Sequence, residues 1–198
     1  MRKLEEITEA VFVIDMNNGF CEKGKLADPS IKRIVPNIRK VIMNTLIRKN
    51  GGLFIINDCH TKKSVELTRE NGYGSHCITP EERKTIKELA IFEKYATNVF
   101  YKNSTCGIFA PGVMETLLKM RNIKKIIITG CCTDICIMNF TLALRNFMDE
   151  WNVDVKIEVP INAVDTYHIP KIHEKEEANQ FGFEVMKRNG IRLVREMN

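Results

Sequence analysis

This chain has no apolar run long enough to cross a bilayer, which takes about 20 residues as a helix. Its longest runs, such as "AVFVI" (10–14) and the apolar part of "KKIIITGCC" (124–132), are far shorter. The opening residues, "MRKLEEITEA", carry three glutamates and no apolar core, so a signal or transit peptide is not expected. Charge of one sign is never concentrated. The 30 basic and 25 acidic residues are interspersed and leave a mild net charge of +5. That distribution describes a solvated surface rather than a nucleic-acid stripe or a membrane patch. Repeats, linkers and low-complexity segments are also missing. Cysteine is not scarce, but seven is an odd number with no secretory context. The expectation is reduced thiols in a cytoplasmic protein rather than a disulfide framework.

What remains is ordinary globular material, 44% apolar and 28% charged with mean hydropathy −0.19. The 198 residues are read as a single domain, 1–198, long enough to bury a full core. Short branched runs alternate with helical patterns. "AVFVID" (10–15), "LFIIND" (53–58), "TNVFYK" (97–102), "KKIIITG" (124–130), "VDVKIEV" (153–159) and "IRLVRE" (191–196) read as six buried strands.

Between the second pair of these runs and beyond lie three helical patterns, at 112–122, 134–151 and 173–190. An earlier one places Ile34, Ile38, Val41, Ile42, Thr45 and Leu46 on one face, starting near Val35, with Gly51 as its C-cap. Such alternation predicts an α/β fold, a parallel sheet covered on both faces. Its active site then lies beyond the carboxyl ends of the strands. The irregular stretch 59–80 is long enough to be functional.

That rule leaves a short set of candidates. "GFCEKGKL" (19–26) nearly matches a phosphate-cradling loop, but Leu26 stands where a hydroxyl is needed and Asp28-Pro29 prevents a helix from starting at the lysine. Asp58 and His60, two apart on extended chain, project to one side, and His76 follows at the end of the irregular stretch. Three such ligands match a catalytic metal site with open positions, although loop histidines are equally compatible with the spacing. His168 and His173 are five apart and read as surface residues.

In "TGCCTDICI" (129–137) there is no second C-x-x-C pair for structural zinc, and the gaps are wrong for a thioredoxin-type motif. Cys136 falls in the first turn of a helix, where amide N–H groups and the helix dipole would lower its pKa; the alternative is a buried packing residue. Lys102 is either a solvated strand end or a fixed positive charge beside a thiolate, and Asp15 either caps a loop or acts as a base.

Taken together and in order, Asp15 in "VIDMNNGF", Lys102 in "YKNST" and Cys136 in "TDICI" resemble the isochorismatase-like cysteine hydrolases, the superfamily that includes the nicotinamidases. The resemblance covers essentially the whole chain. It implies a three-layer (αβα), doubly wound, mostly parallel six-stranded sheet. It also implies a triad of Asp15, Lys102 and Cys136, an oxyanion site at the backbone of Cys132 and Cys136, and a cis peptide at Cys131–Cys132. Within the nicotinamidase-like branch, Asp58, His60 and His76 match the metal ligands, and "HCITPEE" resembles the segment around the last of them.

Phe20 and Tyr73 match the aromatic pocket walls. The activity implied is metal-dependent hydrolysis of nicotinamide to nicotinate and ammonia through a thioester on Cys136, as in NAD salvage. The cofactor implied is a divalent ion: zinc by its donor set, with iron or manganese compatible. The partners implied are a small amide and further copies of the chain in a homo-oligomer. Two departures bear on the substrate: Cys59 stands where the family usually has Trp, and "KNSTCGIFAPG" after the lysine is short. The alternatives are a sister hydrolase acting on another small amide, a carbamoyl compound or a vinyl ether, and a non-enzymatic binding domain on the same fold.

Overall fold

The computed structural model describes residues 3–48, 50–70 and 72–195, so Glu196 of the sixth expected strand lies outside the described residues. All six expected strands form: β1 (Glu9–Ile14), β2 (Gly51–Asp58), β3 (Asn98–Lys102), β4 (Lys125–Cys131), β5 (Lys156–Pro160) and, after one further strand, β7 (Arg192–Val194). The additional strand, β6 (Val164–Asp165), makes the sheet seven-stranded instead of six-stranded. Two residues carry no periodicity to read. They become a strand because β5 pairs with β4 only at Lys125–Ile127, which frees Gly130 and Cys131 to pair with Val164 and Asp165.

Every pairing is parallel and the order is β3-β2-β1-β4-β5-β7, with β6 against β4. The chain winds outward from β1 through β2 to β3, then restarts on the other side of β1 with β4. The connections therefore diverge between β1 and β4, which opens a crevice at the carboxyl ends of those two strands.

Among the described residues four α-helices of seven or more residues cover the sheet: α1 (Val35–Ile47), α2 (Val113–Lys119), α3 (Met138–Glu150) and α4 (Lys175–Arg188). Strand alternation sorts their contacts. Ala10, Phe12 and Ile14 of β1 face the layer of α2, α3 and α4, packing with Leu117, Phe140 and Met186. Val11 and Val13 face α1, packing with Ile38, Val41 and Ile42. Phe12 is the centre of the first core, stacked on Phe54 with centroids 4.8 Å apart and 5.3 Å from the Phe140 ring. Each such side chain, buried whole, stabilises the fold by about 1.5–3 kcal/mol.

Two glycines are explained by close approach. Gly51 does not cap α1, whose C-cap is Arg48; it opens β2, and a Cβ there would lie 1.8 Å from the Thr45 carbonyl oxygen. Gly130, at φ +115°, sits opposite Ile14 in the β1–β4 ladder, where a Cβ would lie 1.9 Å from the Ile14 carbonyl oxygen. Only glycine lets the two strands meet this closely at the mouth of the crevice.

Candidate active site

β1 ends at Ile14, and Asp15 turns out of the sheet with φ +54°, a left-handed conformation that Asp tolerates better than most residues. Its N–H still bonds the Ile56 carbonyl at 2.8 Å, which holds the turn against β2. β2 ends on Asp58 and β3 on Lys102, directly paired in register, so their side chains meet over the sheet. β4 ends at Cys131. A cis peptide joins it to Cys132, and the chain then enters a π-type turn, Thr133–Ile137, that runs into α3. Ile135 and Ile137 both donate to the Cys132 carbonyl, which places Cys136 on the side facing the crevice.

The three strand ends converge on the Lys102 ammonium. It lies 2.7 Å from Asp58 Oδ1, 2.9 Å from Asp15 Oδ2 and 3.7 Å from Cys136 Sγ, and the whole side chain is 1% exposed. One buried cation between two buried carboxylates is worth its desolvation only when all the partners are charged or polarised. Burial pushes the Asp15 carboxyl up to about 6, against the pull of Lys102. Asp58 goes the other way: burial favours its acid form, but Lys102, His60 and His76 outweigh it and hold the carboxylate ionised. Lys102 is itself held charged by Asp15, Cys136 and Asp58 despite complete burial.

The thiol departs from expectation. Burial drives Cys136 well above its usual value, and Lys102 only partly offsets this. Burial outweighs the helix start, so a nucleophilic role for this thiol calls for a neighbouring base. Asp15, whose carboxylate interacts with the thiol, is placed for that.

Asp58 faces two ways. While Oδ1 holds Lys102, Oδ2 lies 2.8 Å from His60 Nε2 and 3.1 Å from His76 Nε2. These three ligand atoms lie within 4.8 Å of one another and all three residues are buried. Both imidazoles are oriented from behind: His60 Nδ1 meets Asn103 Oδ1 at 2.9 Å, and His76 Nδ1 meets the Gly74 carbonyl at 2.8 Å. A ring whose Nδ1–H donates outward keeps a bare Nε2 lone pair pointing inward, the arrangement of a metal-bound histidine. Asp58 Oδ2 and His60 Nε2 are short of any aligned hydrogen bond although both are buried. Three ligand atoms gathered this closely fit a cation, which would replace the protons shared between Asp58 and the imidazoles, so Asp58, His60 and His76 could hold a metal ion.

The long loop is folded to carry this group. His60 N–H bonds the Cys77 carbonyl at 3.1 Å, and the Arg83 guanidinium gathers the carbonyls of His60, Cys77 and Ile78. A capping box between Thr79 and Glu82 starts the helical turn that presents Arg83.

Above these groups lies a pocket of about 400 Å³, part of it open to solvent. Of the candidate residues, Phe20, Tyr73, Asp58, His76, Lys102, Cys132 and Cys136 line it. Asp15 and His60 are fully buried behind this lining, against Lys102 and Asp58. The Phe20 ring leans on His76, with centroids 5.5 Å apart.

Other wall residues were not foreseen. Leu26, read only as a missing hydroxyl, is an apolar wall; Glu66, Thr105, Ile135 and Tyr167 complete the lining. Glu66 Oε2 accepts the Thr105 N–H at 2.9 Å, and Oε1 lies 3.8 Å from His60 Nε2. Asn103, next to Lys102 in sequence, could have been found by its position; Tyr167 could not, since it follows the two-residue β6. His173 is not a surface residue. It is largely buried, 2.8 Å from Asp134 Oδ2, and stacked on Tyr167.

The cysteine cluster thus divides by role. Cys131 is core, its thiol bonded to the Asp15 carbonyl at 3.1 Å, Cys132 lines the pocket, and Cys136 meets Lys102. All seven cysteines are free.

Fold and candidate site together mark a hydrolase built on a parallel sheet between helical layers. The chain belongs to the isochorismatase family: residues 9–188 match the Isochorismatase domain. A Bacillus subtilis (strain 168) relative described as an uncharacterized isochorismatase family protein PncA is 25% identical over 166 residues, covering 81% of this chain and 87% of that protein. Solved structures share the fold as well. The pyrazinamidase/nicotinamidase of Streptococcus mutans superposes with a TM-score of 0.74 at 20% identity, covering 94% of this chain and 100% of the other. The pyrazinamidase of Pyrococcus horikoshii in complex with zinc gives 0.73 at 19% identity, covering 96% and 99%. Among the described residues no helix is long and apolar enough to cross a membrane.

Proposed function

We propose that this chain is a metal-dependent amidohydrolase that converts nicotinamide to nicotinate and ammonia through a thioester on Cys136. The observation that carries the reading is the single ammonium of Lys102 in reach of Asp15, Asp58 and Cys136 at the floor of an aromatic-walled pocket. Asp15 takes the Cys136 proton as Sγ attacks the amide carbon. Backbone N–H groups of Cys132 and Cys136 receive the oxyanion. Lys102 keeps the local charge near balance while the proton sits on Asp15. Asp15 returns that proton to the departing ammonia, leaving the thioester. It then deprotonates a water that attacks the thioester carbon, and collapse restores the Cys136 thiol and releases the acid.

A divalent ion held by Asp58, His60 and His76, best matched by zinc, would supply a fixed Lewis-acid anchor for the ring of the substrate. Phe20 and Tyr73 confine the ring so that the carbonyl meets Sγ.

A second reading is favoured by Glu66. A carboxylate in the pocket with one oxygen committed to Thr105 suits an amide carrying hydrogen-bond donors at its far end, such as a carbamoyl compound. A panel of nicotinamide, pyrazinamide and aliphatic carbamoyl compounds separates the two.

The direct test is ammonia release from nicotinamide by zinc-loaded protein. Cys136→Ala is expected to lower turnover by at least about 10⁴-fold with metal content unchanged. His60→Ala is expected to lose bound metal and substrate affinity together. Metal lost from the Cys136 variant, or retained by the His60 variant, would overturn this division of roles.

A further inference from the structure

We propose that Tyr167 is a substrate-binding wall that selects planar aromatic amides, and that His173 and Asp134 are positioning residues that clamp it to the turn carrying Cys136. This deepens the amidase reading given above and rests on it. β6 pairs with Gly130 and Cys131, so the chain leaving β6 emerges at the same end of the sheet as the nucleophile turn. Tyr167, two residues beyond β6, is half-buried and lines the pocket together with Cys132, Ile135 and Cys136. Phe20 and Tyr73 line it too, so three aromatic side chains face one cavity.

Tyr167 is held more firmly than a loop tyrosine needs to be. The His173 ring stacks on it with centroids 3.9 Å apart and planes 14° from parallel. His173 Nδ1 donates to the Tyr167 carbonyl at 3.0 Å, while its Nε2 meets Asp134 Oδ2 at 2.8 Å. A pair of backbone bonds between Ile169 and His173, at 3.0 and 2.8 Å, closes the intervening loop. Asp134 stands two residues before Cys136 in the same π-type turn. One imidazole therefore ties both the ring and the backbone of Tyr167 to the segment that carries the nucleophile. Burial, with help from Cys132 and Asp134, pushes the phenol up to about 12, so a neutral face is offered at any working pH. A neutral ring held on one face by His173 and close to a nucleophile discriminates by stacking, which rewards a flat substrate and gives nothing to an aliphatic one.

The test uses two reagents for the Cys136 thiol, followed by peptide mass spectrometry: 3-(bromoacetyl)pyridine, which carries a ring, and iodoacetamide, which does not. Rates are normalised to those of free cysteine. The ring reagent is expected to be favoured about tenfold in the unaltered protein, and Tyr167→Ala is expected to remove that preference. Tyr167→Phe is expected to keep it, and His173→Ala to reduce it about threefold with melting temperature little changed.

Kinetics on nicotinamide are expected to show the same order, with KM raised about tenfold in Tyr167→Ala and kcat within threefold. Tyr167→Leu serves the same purpose should the alanine variant not fold. A reagent preference unchanged in Tyr167→Ala or Tyr167→Leu overturns the proposal. A preference lost on schedule in a protein that does not hydrolyse nicotinamide upholds Tyr167 and overturns the nicotinamidase reading instead.

Discussion

Asp15 and Asp165 are both wholly buried carboxylates at the carboxyl end of a strand, yet their surroundings differ completely. Asp165 is saturated. Arg33 grips it with two nitrogens at 2.8 and 3.0 Å, Asn179 adds a bond at 3.1 Å and Lys175 approaches to 3.4 Å. Those partners come from the turn at Pro29–Ile34 and from α4, so the carboxylate fastens two layers to the sheet edge. Asp15 has one cation, at 2.9 Å and shared with Asp58, and neither of its oxygens receives an aligned hydrogen bond. Saturation makes a carboxylate inert and structural, whereas an under-served one keeps a raised affinity for a proton and can act as a base.

The comparison breaks most sharply under isosteric substitution. Asp15→Asn is expected to lower turnover by more than about 10³-fold, since the amide cannot take the Cys136 proton, while thermal stability holds or improves. Asp165→Asn is expected to leave turnover within threefold but cost about 3 kcal/mol in denaturant unfolding, because Arg33 and Lys175 lose the charge they surround. Equal losses of activity in the two variants would erase the distinction.

A pH profile sharpens the same point with a middle-sized effect. In the proposed mechanism Asp15 works in its ionised form, and with its carboxyl raised to about 6 kcat/KM should climb about tenfold per pH unit below that value and level off above it. The linkage runs in the matching direction. Folding raises this pKa, so the native state favours the protonated carboxyl, and its ionisation weakens stability as pH rises from the unfolded value of 3.8 through about 6. A profile flat between pH 5 and pH 7, as an assay would sample it, removes Asp15 from the base role.

The smallest expected effect is at Arg33, whose side chain is 60% exposed. Arg33→Ala should cost only about 1 kcal/mol of stability, since water screens the pair and Lys175 and Asn179 stay in place.

The fold was almost wholly legible because its signals are local. Buried parallel strands announce themselves as branched runs, and the amphipathic face of α1 was read from Ile34, Ile38, Val41, Ile42, Thr45 and Leu46, of which the structure buries the first five and packs Leu46, partly buried, against them. β6 and the true role of Gly51 were not legible, since each depends on what a neighbouring element leaves open. The candidate site residues were legible through order along the chain, and the structure gathers every one of them around a single pocket. Glu66 and Tyr167 were invisible for the opposite reason: each is an ordinary residue made significant by a contact over a long stretch of chain, whereas Asn103 could have been found by its place beside Lys102.

By itself, the amino-acid sequence determined the strand–helix alternation, the acids, lysine and cysteine at strand ends, and the residue types able to hold a metal, because these follow from composition and spacing along one dimension. Tertiary structure alone decided the protonation of the site and the shape of the pocket. Burial raised Cys136 and Asp15 while Lys102 and two imidazoles held Asp58 ionised, and His173 turned from an apparent surface residue into the support of Tyr167. Solvation and electrostatic fields depend on everything that surrounds a group in three dimensions, and a list of residues does not contain its own surroundings.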